Sequence, residues 1–269
     1  MLIANARMYA VNASVSASWR TLLEWVVARA DVACEVIDYP APAPLPELWK
    51  RPDLACVFMC GFPLANARQT PRVLAAPVPL PARYGDAPVY CSDIVARADS
   101  GLRQLTDIFG RRFAFTAEES QSGFHAPRRL LAPFARDRGG ALFAATVGPL
   151  QTPRRIIEAI LSDEADAGPL DSYFHDLLRR HEPALAAQLR VLASTPFTPI
   201  PALVAAPTLP PAIARRLTSA LLAVADADEL APIRNALLLR RFDAVDTQTY
   251  ASLRRDAYDA ATAGYPRIA

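Results

Sequence analysis

The segment 116–124, Thr-Ala-Glu-Glu-Ser-Gln-Ser-Gly-Phe, is where the residue types and their spacing best suit ligand chemistry. It follows a short apolar run, 112–115, that reads as a buried strand, and it precedes 126–136, which reads as a helix. A strand, a Ser/Gly turn and a helix in that order place hydroxyls and backbone N–H groups at a helix N-terminus. The first N–H groups of a helix lack internal partners, and the helix dipole leaves partial positive charge there. A phosphate, phosphonate, sulfonate or carboxylate satisfies both. The same pattern also fits a plain N-cap on Ser120 or Ser122, so the local residues leave cap and ligand site both open.

Positioning such a turn requires a parallel or mixed sheet, and the chain reads that way. Segments 2–9, 32–39, 53–59, 72–77, 87–96, 141–147, 166–170, 190–193 and 202–205 read as strands, interleaved with helical stretches at 18–30, 101–109, 126–136, 153–161 and 173–180. Helices at 210–225, 228–238 and 248–262 close the chain. Ser16 or Ser18 suits the cap of the first helix. Alternation of this kind argues an α/β fold. Connections rich in Pro and Gly near 84–90 and 195–201 divide the chain into two lobes, 1–89 plus 202–269 and 90–201, joined by a double hinge.

In open α/β sheets ligands sit at the carboxyl ends of strands. Here those ends are Met8-Tyr9, Cys60-Gly61-Phe62, Thr116 to Ser122, Gly148 to Thr152 and Asp171-Ser172. Thr152 suits either a helix cap or a ligand contact, and Asp171 suits a cap for the helix at Tyr173. Glu118 and Glu119 would repel an anion and are expected to point outward. His175 and His181, on a helix with Arg179 and Arg180, are expected to face solvent. Trp19, Trp25 and Trp49 are expected to pack.

Composition narrows the function classes. Hydrophobic residues make up 52%, ample for a core, and the formal net charge is only +2 with arginines dispersed along the chain. Nothing in that balance calls for nucleic acid or a membrane surface. Mean hydropathy is +0.12, yet no run approaches the roughly 18 apolar residues of a membrane span. Residues 1–7 lack the basic and apolar regions of a secretory leader and read as a first strand. Cys34, Cys56, Cys60 and Cys91 match no zinc spacing, and a Cys60–Cys91 disulfide is left open. There is no nucleophile elbow, metal cluster, Walker loop or dinucleotide loop, so no enzyme, metal or cofactor is expected.

The order Cys60-Gly61-Phe62-Pro63-Leu64, Tyr90, Leu105 to Ala114, Ser120-Gln121-Ser122-Gly123, Asp166 to Tyr173 and Thr195 to Pro199 resembles the phosphate/phosphonate-type (PhnD-like) solute-binding proteins of ABC transporters. The resemblance implies a two-lobed type II periplasmic-binding-protein fold, each lobe a mainly parallel sheet flanked by helices, closing on a ligand by hinge motion. It implies an oxyanion clamp at Ser120, Gln121, Ser122 and Gly123. It also implies a hydrogen-bond acceptor at Asp171, a donor at Tyr90 and a rim at Cys60, Gly61 and Phe62. Met8 and Tyr9 are ligand candidates on other grounds, because they close the first strand. Family members carry a Gly-Ser-His type turn where this chain has Val147 to Pro153 with no His. The implied ligand is therefore a polar, anionic head group rather than phosphonate in particular. The implied protein is a monomer that partners a small molecule and an ABC transporter's membrane subunits. The resemblance implies the periplasm, and the start of the sequence leaves the cytoplasm as the alternative. A ligand-sensing module, or a pyrimidine-precursor-type enzyme on the same fold, is the alternative function.

Overall fold

A computed structural model describes all 269 residues. In chain order the strands are β1 (Leu2–Asn5), β2 (Cys34–Val36), β3 (Leu54–Met59), β4 (Arg72–Pro79), β5 (Val89–Tyr90), β6 (Ser92–Arg97) and β7 (Arg112–Ala114). They continue with β8 (Ala145–Val147), β9 (Ala167–Asp171), β10 (Leu189–Ser194), β11 (Thr198–Pro199), β12 (Ala202–Ala205) and β13 (Leu239–Asp243). The α-helices are α1 (Ala13–Arg29), α2 (Leu45–Trp49), α3 (Gly61–Asn66), α4 (Ala126–Asp137) and α5 (Pro153–Leu161). The remaining five are α6 (Ser172–His181), α7 (Pro183–Ala186), α8 (Pro211–Leu222), α9 (Ala231–Ala236) and α10 (Ala251–Thr262).

The chain divides into two compact units, Met1–Val89 with Pro199–Tyr250, and Tyr90–Thr198 with Ala251–Ala269. Unit 1 is built on a six-stranded sheet in the order β13-β4-β12-β3-β1-β2. β1 pairs in parallel with β2 and β3, whereas β12 runs antiparallel between β3 and β4, and β13 antiparallel to β4. β3 is buried along its whole length, as a central strand covered on both faces must be. Helix α1 starts earlier than its apolar spacing alone suggests, because Asn12 rather than Ser16 or Ser18 caps it, its side chain accepting from Val15 N at 3.0 Å. Ser18 instead donates back to Ser14 O.

Unit 2 has a five-stranded sheet, β10-β6-β9-β7-β8. β7 lies parallel to β8 and β9, whereas β6 is antiparallel to both β9 and β10. Both sheets are thus mixed rather than mainly parallel in their pairings. The antiparallel strands β6 and β12 are the ones that enter each unit after a passage from the other. They are not products of a βαβ crossover, so its parallel rule does not bind them.

The C-terminal segment differs from the sequence expectation, which grouped 202–269 in one lobe. Ala251–Ala269 belongs to unit 2, where α10 packs on α4. Ala260, Tyr265 and Ile268 complete a core formed with Phe113, Phe124, Leu131 and Phe143. The buried Arg128 donates to Ala257 O at 2.6 Å and to Pro266 O, and Leu142 N donates to Ala269 O at 2.7 Å. All four cysteines are free thiols, so the Cys60–Cys91 bridge is absent. Burial pushes the Cys34 thiol up to about 12, aided by Asp53 and Glu35, in keeping with a packing role.

Candidate ligand-binding site

The strand β7 ends at Ala114, and the chain then makes a closed turn before α4. Thr116 N donates to Gly123 O, Ser120 N to Ala117 O at 3.0 Å, and His125 N to Ser120 O at 3.0 Å. Ser120 is the cap, its Oγ accepting from Gly123 N at 3.0 Å. Residues Gln121–His125 form a single π-helical turn running directly into α4. Such a turn is wider than an α-turn, and widened turns of this kind recur at functional sites. Glu118 and Glu119 are exposed, as expected of carboxylates beside an anion-ready turn.

Gly123 is required by close packing. A Cβ built there would stand 1.7 Å from Thr116 Oγ1 and 2.9 Å from Ser120 Oγ. Thr116 Oγ1 is itself buried without a hydrogen-bond partner. Its main chain joins two turns, for Thr116 O accepts from Gln151 N at 2.7 Å, and Phe115 O accepts from Leu150 N at 3.1 Å. The 148–152 turn therefore lies along the end of β7. A Cβ on Gly148 would stand 2.7 Å from Phe115 O, which explains glycine at that close approach. Thr152 caps α5, its Oγ1 accepting from Arg155 N at 3.2 Å.

Asp171 ends β9 and caps α6, its Oδ1 accepting from Tyr173 N at 2.9 Å and Phe174 N at 3.0 Å. It faces Ser92 across the antiparallel ladder, and directly opposed residues share one face of a sheet. Ser92 Oγ donates to Ser122 O at 2.8 Å. Ser92 thus ties the turn to the strand pair that carries Asp171. Tyr90, buried, lies two residues before Ser92 on the same stretch. Burial, then the nearby Asp171 and Asp176 carboxylates, hold the Tyr173 phenol well above its ordinary range, so it stays protonated. His125 is shifted the other way, to about 3, by burial first and the Arg128 guanidinium second, so the imidazole is neutral at physiological pH.

Unit 1 presents its own strand-end set. β1 and β3 are neighbours, with Asn5 in register with Val57, so the segments that follow them emerge at the same end of the sheet. Met8 is half-buried and Tyr9 fully buried, its ring edge-on to Phe58 at 5.1 Å and tilted to Trp19 at 6.5 Å. Cys60 precedes α3 and is buried, Gly61 opens that helix, and Phe62 is half-buried. The structure thus brings Ser120, Gln121, Ser122, Gly123, Asp171 and Tyr90 to one corner of unit 2. Thr152 lies beside the same strand end. Met8, Tyr9, Cys60, Gly61 and Phe62 form a separate group at one sheet end in unit 1.

Two contributors escaped the sequence reading. Ser92 shows no signal in its local pattern. His175 does not face solvent: it is buried, with Nδ1 2.8 Å from Asp93 Oδ2. The helix is buried on all sides from Ser172 to Leu178, and only its last turn, with Arg179 and Arg180, reaches solvent.

The chain is two α/β units, one of which places a Ser/Gly turn between a strand end and a helix. A family model for the periplasmic substrate-binding proteins of ABC phosphonate transporters matches residues 12–250, and the chain belongs to that family. Solved structures agree on the fold. A binding protein component of an ABC phosphonate transporter, PA3383 of Pseudomonas aeruginosa, is 16% identical and superposes with a TM-score of 0.81 over 97% of this chain and 87% of its own. PhnD1 from Prochlorococcus marinus, solved with methylphosphonate, is 19% identical with a TM-score of 0.75, covering 97% of this chain and 98% of its own. XAC2383 from Xanthomonas citri, solved with ATP, is 18% identical with a TM-score of 0.65 and covers 97% of each chain. No curated protein sequence matches. No helix is long and apolar enough to cross a membrane.

Proposed function

We propose that this protein captures a small oxyanion at the Ser120–Gly123 turn and delivers it to the membrane subunits of an ABC transporter. The observation that carries the reading is Ser122. It is half-buried in the first turn of a helix, and its hydroxyl makes no hydrogen bond within the fold, whereas Ser120 is committed as the cap. A free hydroxyl beside N-terminal helix N–H groups suits an anion's oxygens. Asp171 supplies a carboxylate to a ligand that carries its own donor, an amine or a protonated oxygen. Tyr90 and Gln121 complete the set in unit 2.

Three features argue against reading the site as phosphonate-specific. The 148–152 turn has no histidine, and the N–H groups of Leu150 and Gln151 are spent on Phe115 O and Thr116 O. Thr152 is spent as a cap. That turn is therefore poor in donors, and the ligand class is small oxyanions in general.

The test is a thermal-shift screen with inorganic phosphate, methylphosphonate, alkanesulfonates and carboxylates, since a ligand that binds only the folded state raises Tm. At least one of these is expected to stabilise the wild type and to lose most of its effect in Ser122→Ala. A screen in which no anion shifts Tm, or a Ser122→Ala protein that binds as the wild type does, overturns the reading.

A further inference from the structure

Behind the turn lies a buried polar contact that neither the caps nor the proposed ligand contacts use. Asp93 and His175 are 0% and 1% exposed, and His175 Nδ1 lies 2.8 Å from Asp93 Oδ2. With the carboxylate ionised it can only accept, and Nδ1 is then the donor. Ser194 Oγ donates to the other oxygen, Asp93 Oδ1, at 2.7 Å. A buried carboxylate is tolerated where its oxygens are hydrogen-bonded, and removing a donor leaves a desolvated charge short of a partner. The pair therefore pins β6 to α6, and Ser194 pins it to β10.

The residues on either side of Asp93 show what that pinning serves. Cys91 N donates to Ser172 Oγ at 3.0 Å, and Ser172 N donates to Cys91 O at 2.9 Å. Ser92 N donates to Thr195 Oγ1 at 2.9 Å, and Thr195 N donates to Ser92 O at 3.0 Å. Ser92 Oγ, on the opposite face of the strand from Asp93, holds Ser122 O. Three consecutive residues, 91–93, are thus gripped from the ligand turn, from α6 and from β10. His175 grips the same helix α6 that Asp171 caps.

We propose that His175 is a positioning residue for the oxyanion site. By holding Asp93 it fixes segment 91–93, which sets the Ser122 carbonyl through Ser92 and the Asp171 cap through α6. Its consequence for binding rests on the site reading given above, whereas its effect on the turn does not.

The experiment uses the full chain with His175→Leu, His175→Asn and Ser92→Ala. Leu keeps the volume without a donor, and Asn restores a donor near the Nδ1 position. Amide hydrogen exchange is followed at 120–126 and 171–175 in ligand-free protein. Binding of inorganic phosphate and methylphosphonate is followed by calorimetric titration. His175→Leu is expected to speed exchange in both segments and to weaken whichever probe binds on the order of tenfold, as for a buried charge deprived of a donor. His175→Asn is expected to restore both, and Ser92→Ala to speed exchange at 120–126 alone. A folded His175→Leu with unchanged exchange overturns the proposal, as does an Asn variant no better than Leu. Should His175→Leu not fold, unchanged exchange at 120–126 in Ser92→Ala overturns it instead. Should the wild type bind neither probe, the site reading fails while the exchange data still decide the positioning role.

Discussion

Acid should destabilise unit 2 through one residue, His125. Its imidazole sits at the end of the π-helical turn, buried, with its pKa held at about 3 by desolvation first and the Arg128 guanidinium second. In the unfolded chain a histidine titrates near ~6.5. Between those values the unfolded state binds a proton that the folded state refuses, so stability falls as pH drops through the unfolded value and stops falling near the folded one. At pH 5 the loss is roughly 2 kcal/mol, from about 1.5 pH units at about 1.36 kcal/mol each. Near pH 3 it grows to roughly 4 kcal/mol. For a protein of this size the pH 5 value corresponds to a Tm fall of about 4–8 °C beyond that caused by the other groups. The comparison is between the wild type and His125→Asn at pH 7 and pH 5, so that every other titrating group is common to both. Trp19, Trp25 and Trp49 all lie in unit 1, so tryptophan fluorescence does not report on unit 2 directly. Scanning calorimetry, or hydrogen exchange at 120–137, reads it instead. An NMR titration placing His125 near its ordinary value, or equal acid sensitivity in the two proteins, refutes the reasoning.

Gly123→Ala should distort the ligand turn at a cost of about 1–3 kcal/mol, because the new methyl meets Thr116 Oγ1. Adding Thr116→Ala should recover part of it, and denaturation of the two single variants and the double variant detects that coupling as non-additivity. Arg128→Met should loosen the C-terminal segment, since two carbonyls, Ala257 O and Pro266 O, lose a buried donor at about 1–3 kcal/mol each; protease sensitivity rising within 251–269, rather than throughout the chain, is the readout. Asp171→Ala should cost roughly 0.5–2 kcal/mol as a lost helix cap, whereas Asp171→Asn keeps most of that stability. Measured with any anion that binds the wild type, Asn should still weaken binding if the carboxylate meets a donor on the ligand.

Much of this was legible because the signals are local. The order strand, Ser/Gly turn, helix at 112–136 can be read from adjacent residues, and so can the caps at Thr152 and Asp171. What was not legible depends on pairings remote in sequence. His175 meets Asp93 across 82 residues, and a helix carrying Arg179 and Arg180 reads as a solvated face. The C-terminal helix carries no mark of its unit, because its docking rests on Arg128, 129 residues from its acceptor at Ala257. The mixed sheets were misread for a related reason. Alternation of strands and helices predicts parallel pairing only while the chain stays in one unit, and β6 and β12 each follow a passage between units.

Ser120 and Ser122 differ in what the fold asks of them. Ser120 Oγ accepts from Gly123 N, and Ser120 O accepts from His125 N, so both its oxygens serve the turn. Ser122 gives the fold only its carbonyl, to Ser92. A residue whose hydroxyl the fold does not use can be altered without unfolding the turn that presents it. Ser120→Ala should therefore lower Tm and carry any loss of affinity with it, at a cost of about 0.5–2 kcal/mol for a lost cap. Ser122→Ala should leave Tm of the ligand-free protein within about 1–2 °C, because surface changes away from such features stay within about 0.5 kcal/mol. Its loss should appear only when an anion is present. If the two alanine variants instead lose stability and binding in equal proportion, the serines do not divide the roles, and Ser122 belongs to the scaffold.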